Sequence, residues 1–144
     1  MNLYTIGSSQ TSAESFFTRL SEAHVKKVLD IRLNNVSQLA GFSKMDDLRY
    51  FLRVICGIGY EHRLELAPTH EVLDAYRSHR NDWTVFREQY LGLIMARKVE
   101  EVFSRAALDG ACLLCSEAKP DHCHRRFAAE YLADKWGDIQ IVHL

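Results

Sequence analysis

A chain of 144 residues with 47% apolar side chains and only two prolines is long enough to bury one core and too short for two comfortable domains, so a single domain over residues 1–144 is expected. A formal net charge of −1, with seven histidines uncounted, excludes the global basic field that dominates non-specific binding to nucleic acid. Any phosphate recognition has to be local. No apolar run approaches the roughly 20 residues that span a bilayer, and the chain opens on a strand-like run rather than a basic-then-apolar leader, so a cytoplasmic protein with no membrane partner is expected.

Hydrophobic periodicity alternates between strand-like runs and helix-like stripes, without a low-complexity linker or an internal repeat. Leu3 to Ile6 reads as a first strand. Thr11 or Ser12 then caps a helix with Phe16, Phe17, Leu20 and Ala23 at three- and four-residue spacings. Val25 to Ile31 is a second strand. After an irregular stretch through Gly41-Phe42-Ser43-Lys44, a helix with Leu48, Phe51, Leu52 and Ile55 on one face runs into Gly57-Ile58-Gly59, and Tyr60-Glu61-His62 forms a short third strand. Two helices follow, the second predicted to be long, because Trp83, Phe86, Tyr90, Leu93, Ile94, Val99, Val102 and Phe103 keep one apolar stripe until Gly110 closes it. Ala111 to Cys115 is an apolar strand, Asp121 or Cys123 opens a helix bearing Phe127, Ala128, Tyr131 and Leu132, and Ile139 to His143 is the last strand.

Strands separated by helices imply parallel neighbours, hence an α/β fold: an open, mainly parallel sheet of about five strands with helices on both faces. Ligands of such sheets bind outside the carboxyl ends of the strands. Those ends deliver Gly7-Ser8-Ser9, Asp30-Ile31-Arg32, Glu61-His62-Arg63, Cys115-Ser116-Glu117 and His143 to one edge.

The densest chemistry lies in Leu114-Cys115-Ser116-Glu117-Ala118-Lys119-Pro120-Asp121-His122-Cys123-His124-Arg125. His124 and Arg125 fall in the first turn of the last helix, where free amides favour an anion, so Arg125 reads either as an anion clamp or as a tie between the loop and Glu117 or Asp121. Asp30 and Arg32 share a strand face: the plain reading is an internal ion pair, the functional one a second anion ligand oriented by Asp30. Glu117 beside an apolar strand is a candidate general acid or base.

Four cysteines among histidines, with two in an apolar strand, do not form a disulfide scaffold, and reduced thiols are expected. Cys112 and Cys115 point to opposite faces of a strand, so their redox-like spacing is not a chelate, and Cys112 is a core residue. Cys115, His122, Cys123 and His124 have the chemistry of a zinc site, yet adjacent residues rarely all reach one ion, and no metal is assigned. Cys123 gains nucleophilicity from a helix N-terminus. No Cys-x5-Arg loop starts at Cys115 or Cys123, and the strand Val28-Leu29-Asp30-Ile31-Arg32 is not followed by a rhodanese-type active-site loop, which disfavours cysteine phosphatase and sulfurtransferase chemistry.

Several segments together resemble the bacterial and archaeal family known as domain of unknown function 488: Tyr4-Thr5-Ile6-Gly7-Ser8-Ser9, Leu29-Asp30-Ile31-Arg32, Gly41-Phe42-Ser43-Lys44, Gly59-Tyr60, and Leu114-Cys115-x-Glu117-x-x-Pro120-x-x-Cys123-His124-Arg125. The resemblance spans nearly the whole chain and names no reaction. Similar members carry Gly-His-Ser where this chain has Gly7-Ser8-Ser9, and a proline and an arginine in the loop that here reads Leu33-Asn34-Asn35-Val36-Ser37-Gln38.

The leading expectation is an enzyme, hydrolytic or group-transferring, acting on a small phosphorylated or nucleotide-like ligand. In that reading Arg32, Arg125, Gly7, Ser8 and Cys115 bind the ligand, while Glu117, Asp30, Cys123 and His124 carry the chemistry. No cofactor is identifiable. The alternatives are a non-catalytic module that recognises a nucleic-acid end or a protein, and a metal protein built on the cysteines and histidines.

Overall fold

A computed structural model describes residues 1–78 and 82–144. Its centre is a five-stranded, wholly parallel sheet in the order β3-β2-β4-β1-β5. The strands are β1 (Asn2–Gly7), β2 (Lys27–Asp30), β3 (Gly59–His62), β4 (Ala111–Cys115) and β5 (Gln140–His143). Parallel neighbours need long crossovers, and helices supply them: α1 (Ala13–Glu22), α2 (Met45–Phe51), α3 (His70–Ser78), α4 (Trp83–Ala96), α5 (Val99–Val102), α6 (Arg105–Leu108) and α7 (His124–Trp136). No helix among the described residues is long and apolar enough to cross a membrane.

Strand alternation sends successive side chains to opposite faces, and two separate cores result. Ile6, Val28, Cys112 and Leu114 meet Phe16, Phe17 and Leu20 of α1 and Leu48 and Leu52 around α2. On the other face Leu3, Leu29, Ile31, Ala111 and Leu113 meet Phe86, Tyr90 and Ile94 of α4 and Phe127, Ala128 and Leu132 of α7. Each such fully buried large side chain contributes about 1.5–3 kcal/mol. The central strand β4, buried along its whole length, carries both cores. Cys112 sits in one core, and Cys115 continues the parity of Ala111 and Leu113 on the other face.

The caps follow the sequence. Ser12 accepts from the Ser15 amide 3.1 Å away and starts α1, and Cys123, extended at φ −141° and ψ 139°, precedes α7. Two helices depart from expectation. The long stripe from Trp83 to Phe103 is not one helix: Lys98 takes a left-handed φ of 52° and divides α4 from α5. The apolar spacing continues across the break because Ile94 and Val99 pack into the same core. Beyond α2 the chain widens into a π-helical turn over Leu52–Cys56. Its i→i+5 register rotates Ile55 out of the stripe expected to hold it, leaving Ile55 55% exposed.

Helices α1 and α7 leave neighbouring strands β1 and β4 toward opposite faces, so a crevice opens at the carboxyl ends of these strands. Pairing persists past the strands there, with the Ser8 amide donating to the Cys115 carbonyl and the Ser9 amide to that of Ser116, both at 3.0 Å. Gly7 permits this approach, because a Cβ at that position would overlap the carbonyl of Glu117. Gly7→Ala is therefore expected to lower stability by about 1–3 kcal/mol, the range for forced overpacking, seen as a lower urea midpoint at an unchanged m-value. An unchanged midpoint would show that the 117–118 loop moves freely.

Candidate functional site

Asp30, the last residue of β2, is fully buried. Its carboxylate accepts from Arg32 Nε at 2.8 Å, Arg32 Nη2 at 2.7 Å, the Tyr60 hydroxyl at 2.5 Å and Asn35 Nδ2 at 3.3 Å. Burial alone would push this carboxyl up, but the hydrogen bonds and charge of Arg32, joined by Tyr60, outweigh it and hold Asp30 below the usual carboxylate range. Arg32 Nη2 also donates to the Ser43 carbonyl at 2.7 Å. The guanidinium, 4% exposed, is thus held in place and presents only an edge to the crevice. Asp30 lies behind it, out of reach of a ligand.

Arg125 takes a different place from the one expected of a second clamp arm. Its guanidinium is 0% exposed. It donates to the carbonyls of Glu117 and Ala118 and, from Nε, to Thr5 Oγ1 at 3.4 Å. A buried cation is tolerated only where it is paired or fully hydrogen-bonded, and here carbonyl dipoles take the place of a carboxylate. Arg125 ties the loop to the sheet, with carbonyls as the acceptors rather than the Glu117 or Asp121 side chains.

In front of Arg125 stands Cys115. Burial would raise its thiol, but the Cys123 S–H, the Glu117 amide, the Arg125 charge and the Ser116 amide together bring it below the ordinary thiol value. Cys123 moves the other way, pushed up by burial and by the Cys115 sulfur it faces. The two thiols are thus shifted in opposite directions across the pair.

His124 completes the group. Its Nε2 lies 2.9 Å from the Ile31 carbonyl, which only accepts, so Nε2 carries the hydrogen. Nδ1 then presents its lone pair to Cys115 Sγ, 3.4 Å away. The donor atoms of Cys115, Cys123 and His124 all lie within 4.8 Å of one another. Adjacent residues converge here because Cys123 is extended while His124 already turns with the helix.

These three residues floor a cavity of about 260 Å³, walled by Trp83, Phe86 and Tyr76 on one side and by Arg32 and Glu117 on the other. Trp83 stacks on Phe86 with ring centroids 5.0 Å apart, and exposed His122 tilts against Trp83 at 5.2 Å. A second, polar lobe meets it at Arg32 and Ser116, lined by Ser8, Ser9, Ser37 and Ser43. Glu117 is exposed at the mouth. A larger cavity, about 370 Å³, is an apolar groove between α1 and Phe51 and Ile55, far from this chemistry.

Of the residues singled out in the sequence, the structure gathers Cys115, Cys123, His124, Glu117 and Arg32 on one cavity, with Ser8 in its polar lobe. It sets Asp30, Arg125 and Gly7 behind the cavity as supports. Sequence reasoning missed the aromatic wall, because Trp83 and Phe86 read as members of one apolar helical stripe. It placed Ser8, Ser9 and Ser116 at the ligand edge but missed Ser37 and Ser43, the other serines of the polar lobe.

The fold and site thus define an open parallel α/β protein with a Cys/His-floored pocket at the strand carboxyl ends. A family model described as domain of unknown function DUF488 matches residues 12–132, and the chain belongs to that family. No curated protein matches the chain, and no solved structure does.

Asp30→Asn should destabilise the protein by about 3–5 kcal/mol at neutral pH, because it leaves the Arg32 guanidinium buried without its counter-charge. The folded carboxyl titrates below its unfolded value of about 3.9, so its stabilisation is complete above about pH 4 and lost as pH falls through the folded value. Urea melts against pH should show that acid limb in the wild type and a flatter one in Asp30→Asn; equal limbs would refute the assignment. Arg125→Met should lower the melting temperature by several degrees by orphaning two carbonyls. A melting temperature within a degree of wild type would mean that water replaces the guanidinium.

Proposed function

We propose that this protein is an enzyme acting on a small phosphorylated, ring-bearing ligand of nucleotide-like chemistry, bound at the carboxyl edge of the sheet. The observation that carries the reading is a pair of adjoining, partly open cavities that share Arg32, Asn34 and Ser116, one with aromatic rings and a Cys/His floor, the other lined by serines. Pockets of this kind, mostly apolar with a few convergent polar groups and shifted thiols, are characteristic of small-ligand sites. A concave pocket with few cations on its lining favours this reading over a flat nucleic-acid- or protein-binding surface, which needs an open basic patch.

The ring system lies against Trp83 and Phe86, and the phosphoryl group enters the serine lobe beside Ser8 and Ser116. Arg32 contributes a guanidinium edge, oriented by Asp30. Arg125 supplies positive potential from beneath the floor without touching the ligand. The reacting centre is Cys115, Cys123 and His124, and Glu117 at the mouth donates or accepts a proton. Hydrolysis or group transfer is the reaction class these groups serve.

A thermal-melt screen against nucleotides, sugar phosphates and other phosphorylated metabolites tests the reading. A ligand at about 100 times its dissociation constant adds roughly 2.7 kcal/mol, a shift of several degrees. Ser116→Asp places a negative charge on an exposed position of the serine lobe and is expected to abolish the shift while leaving the unliganded melt unchanged. Shifts that persist in Ser116→Asp, or no shift across the panel, would refute the proposal.

A further inference from the structure

The floor of the pocket has the makings of a metal site. In a tetrahedral zinc site, Zn–S bonds of about 2.3 Å and Zn–N bonds of about 2.0 Å set sulfur and nitrogen about 3.5 Å apart, and two sulfurs about 3.8 Å apart. Cys115 Sγ and His124 Nδ1 stand at 3.4 Å, and the Cys123 sulfur lies within 4.8 Å of both. The imidazole is locked by its Nε2–H on the Ile31 carbonyl, the outer-shell bond that orients metal-bound histidines and fixes the coordinating nitrogen. All three residues are buried, where thiolate and imidazole donors suit a soft or borderline ion.

We propose that Cys115 Sγ, Cys123 Sγ and His124 Nδ1 bind one zinc-class divalent ion, with the fourth coordination position open to the pocket. The open position follows from the donor set: among the described residues no fourth His, Cys, Asp or Glu joins the cluster, and all three ligands line the cavity. Three protein ligands plus an exchangeable fourth is the pattern of a catalytic rather than a structural zinc site. Two thiolates neutralise the ion, so the positive charge of Arg125 beneath them stays uncompensated and the floor attracts an anion. This deepens the proposed function and rests on the same pocket, since the fourth position faces the space assigned to the phosphorylated ligand.

The test is purification under reducing conditions, metal analysis by mass spectrometry, removal of metal by chelation, and titration of the apoprotein with Co²⁺. One ion per chain is expected, with thiolate-to-cobalt charge-transfer absorption and the visible bands of a tetrahedral site. Cys115→Ser, Cys123→Ser and His124→Ala should each weaken binding by more than the roughly 10–100-fold typical of altering a supporting contact. Cys56→Ser, with its thiol against Ser21 and Phe17, should leave the spectrum unchanged. Should a ligand variant fail to fold, the wild-type spectrum still decides: absence of charge-transfer bands, or Zn²⁺ that does not displace Co²⁺ stoichiometrically, overturns the site. Undiminished affinity in a folded ligand variant does the same. Metal binding without any phosphorylated hit would refute the proposed substrate and leave the metal site standing; a phosphorylated hit lost in Ser116→Asp, with no metal bound, would do the reverse.

Discussion

The burial of the Arg125 guanidinium beneath the loop that follows β4 is the constraint on which the rest of the site depends. A cation removed from water without a carboxylate requires dipoles aimed at it, and the chain provides the carbonyls of Glu117 and Ala118 and the hydroxyl of Thr5. Meeting that requirement pulls the loop down against β1, which in turn demands a residue without a Cβ at Gly7. The same charge lowers the Cys115 thiol in front of it. One buried side chain thus couples sheet packing, loop position and sulfur chemistry.

The strand order supplies the complementary constraint. Because β1 and β4 are neighbours whose helices depart to opposite faces, their carboxyl ends cannot be roofed by either helix layer. The polar groups at that edge must satisfy one another or a ligand. Asp30, Arg32, Tyr60, Asn35 and Ser43 do the former, forming a closed network whose members are nearly all spoken for. Cys115, Cys123 and His124 do so only in part, and they form the floor of the cavity.

Much of the fold was legible because period-two and 3.6-residue apolar patterns map directly onto faces. The five strands, the Ser12 cap and the start of α7 follow from such local signals. The break at Lys98 did not, since Ile94 and Val99 serve the same core and the apolar spacing runs across the interruption. The π turn after α2 was hidden for a related reason, as a changed hydrogen-bond register leaves no mark on composition. In the site, residue types announced chemistry but not acceptors. Arg125 read either as an anion clamp or as a loop tie to Glu117 or Asp121, whereas the carbonyls that satisfy it belong to a loop whose course only tertiary structure defines. Convergence of Cys123 and His124 likewise depends on a change from extended to helical backbone between adjacent residues.

The contrast between the two arginines orders the proposed chemistry. Arg32 is neutralised by Asp30 and adds shape and hydrogen-bond capacity to the wall more than net charge. Arg125 carries a charge that no carboxylate among the described residues balances, placed where a ligand cannot touch it. Positive potential at the floor therefore comes from a group that an entering ligand cannot displace, while in the proposed complex direct contacts fall to hydroxyls and aromatic rings. In a low-dielectric pocket a fixed charge of this kind acts without rearranging. The proposed metal ion would leave that potential intact, because two thiolates cancel its charge. The proposed anion recognition and the proposed Cys/His metal centre are then two consequences of the same buried guanidinium.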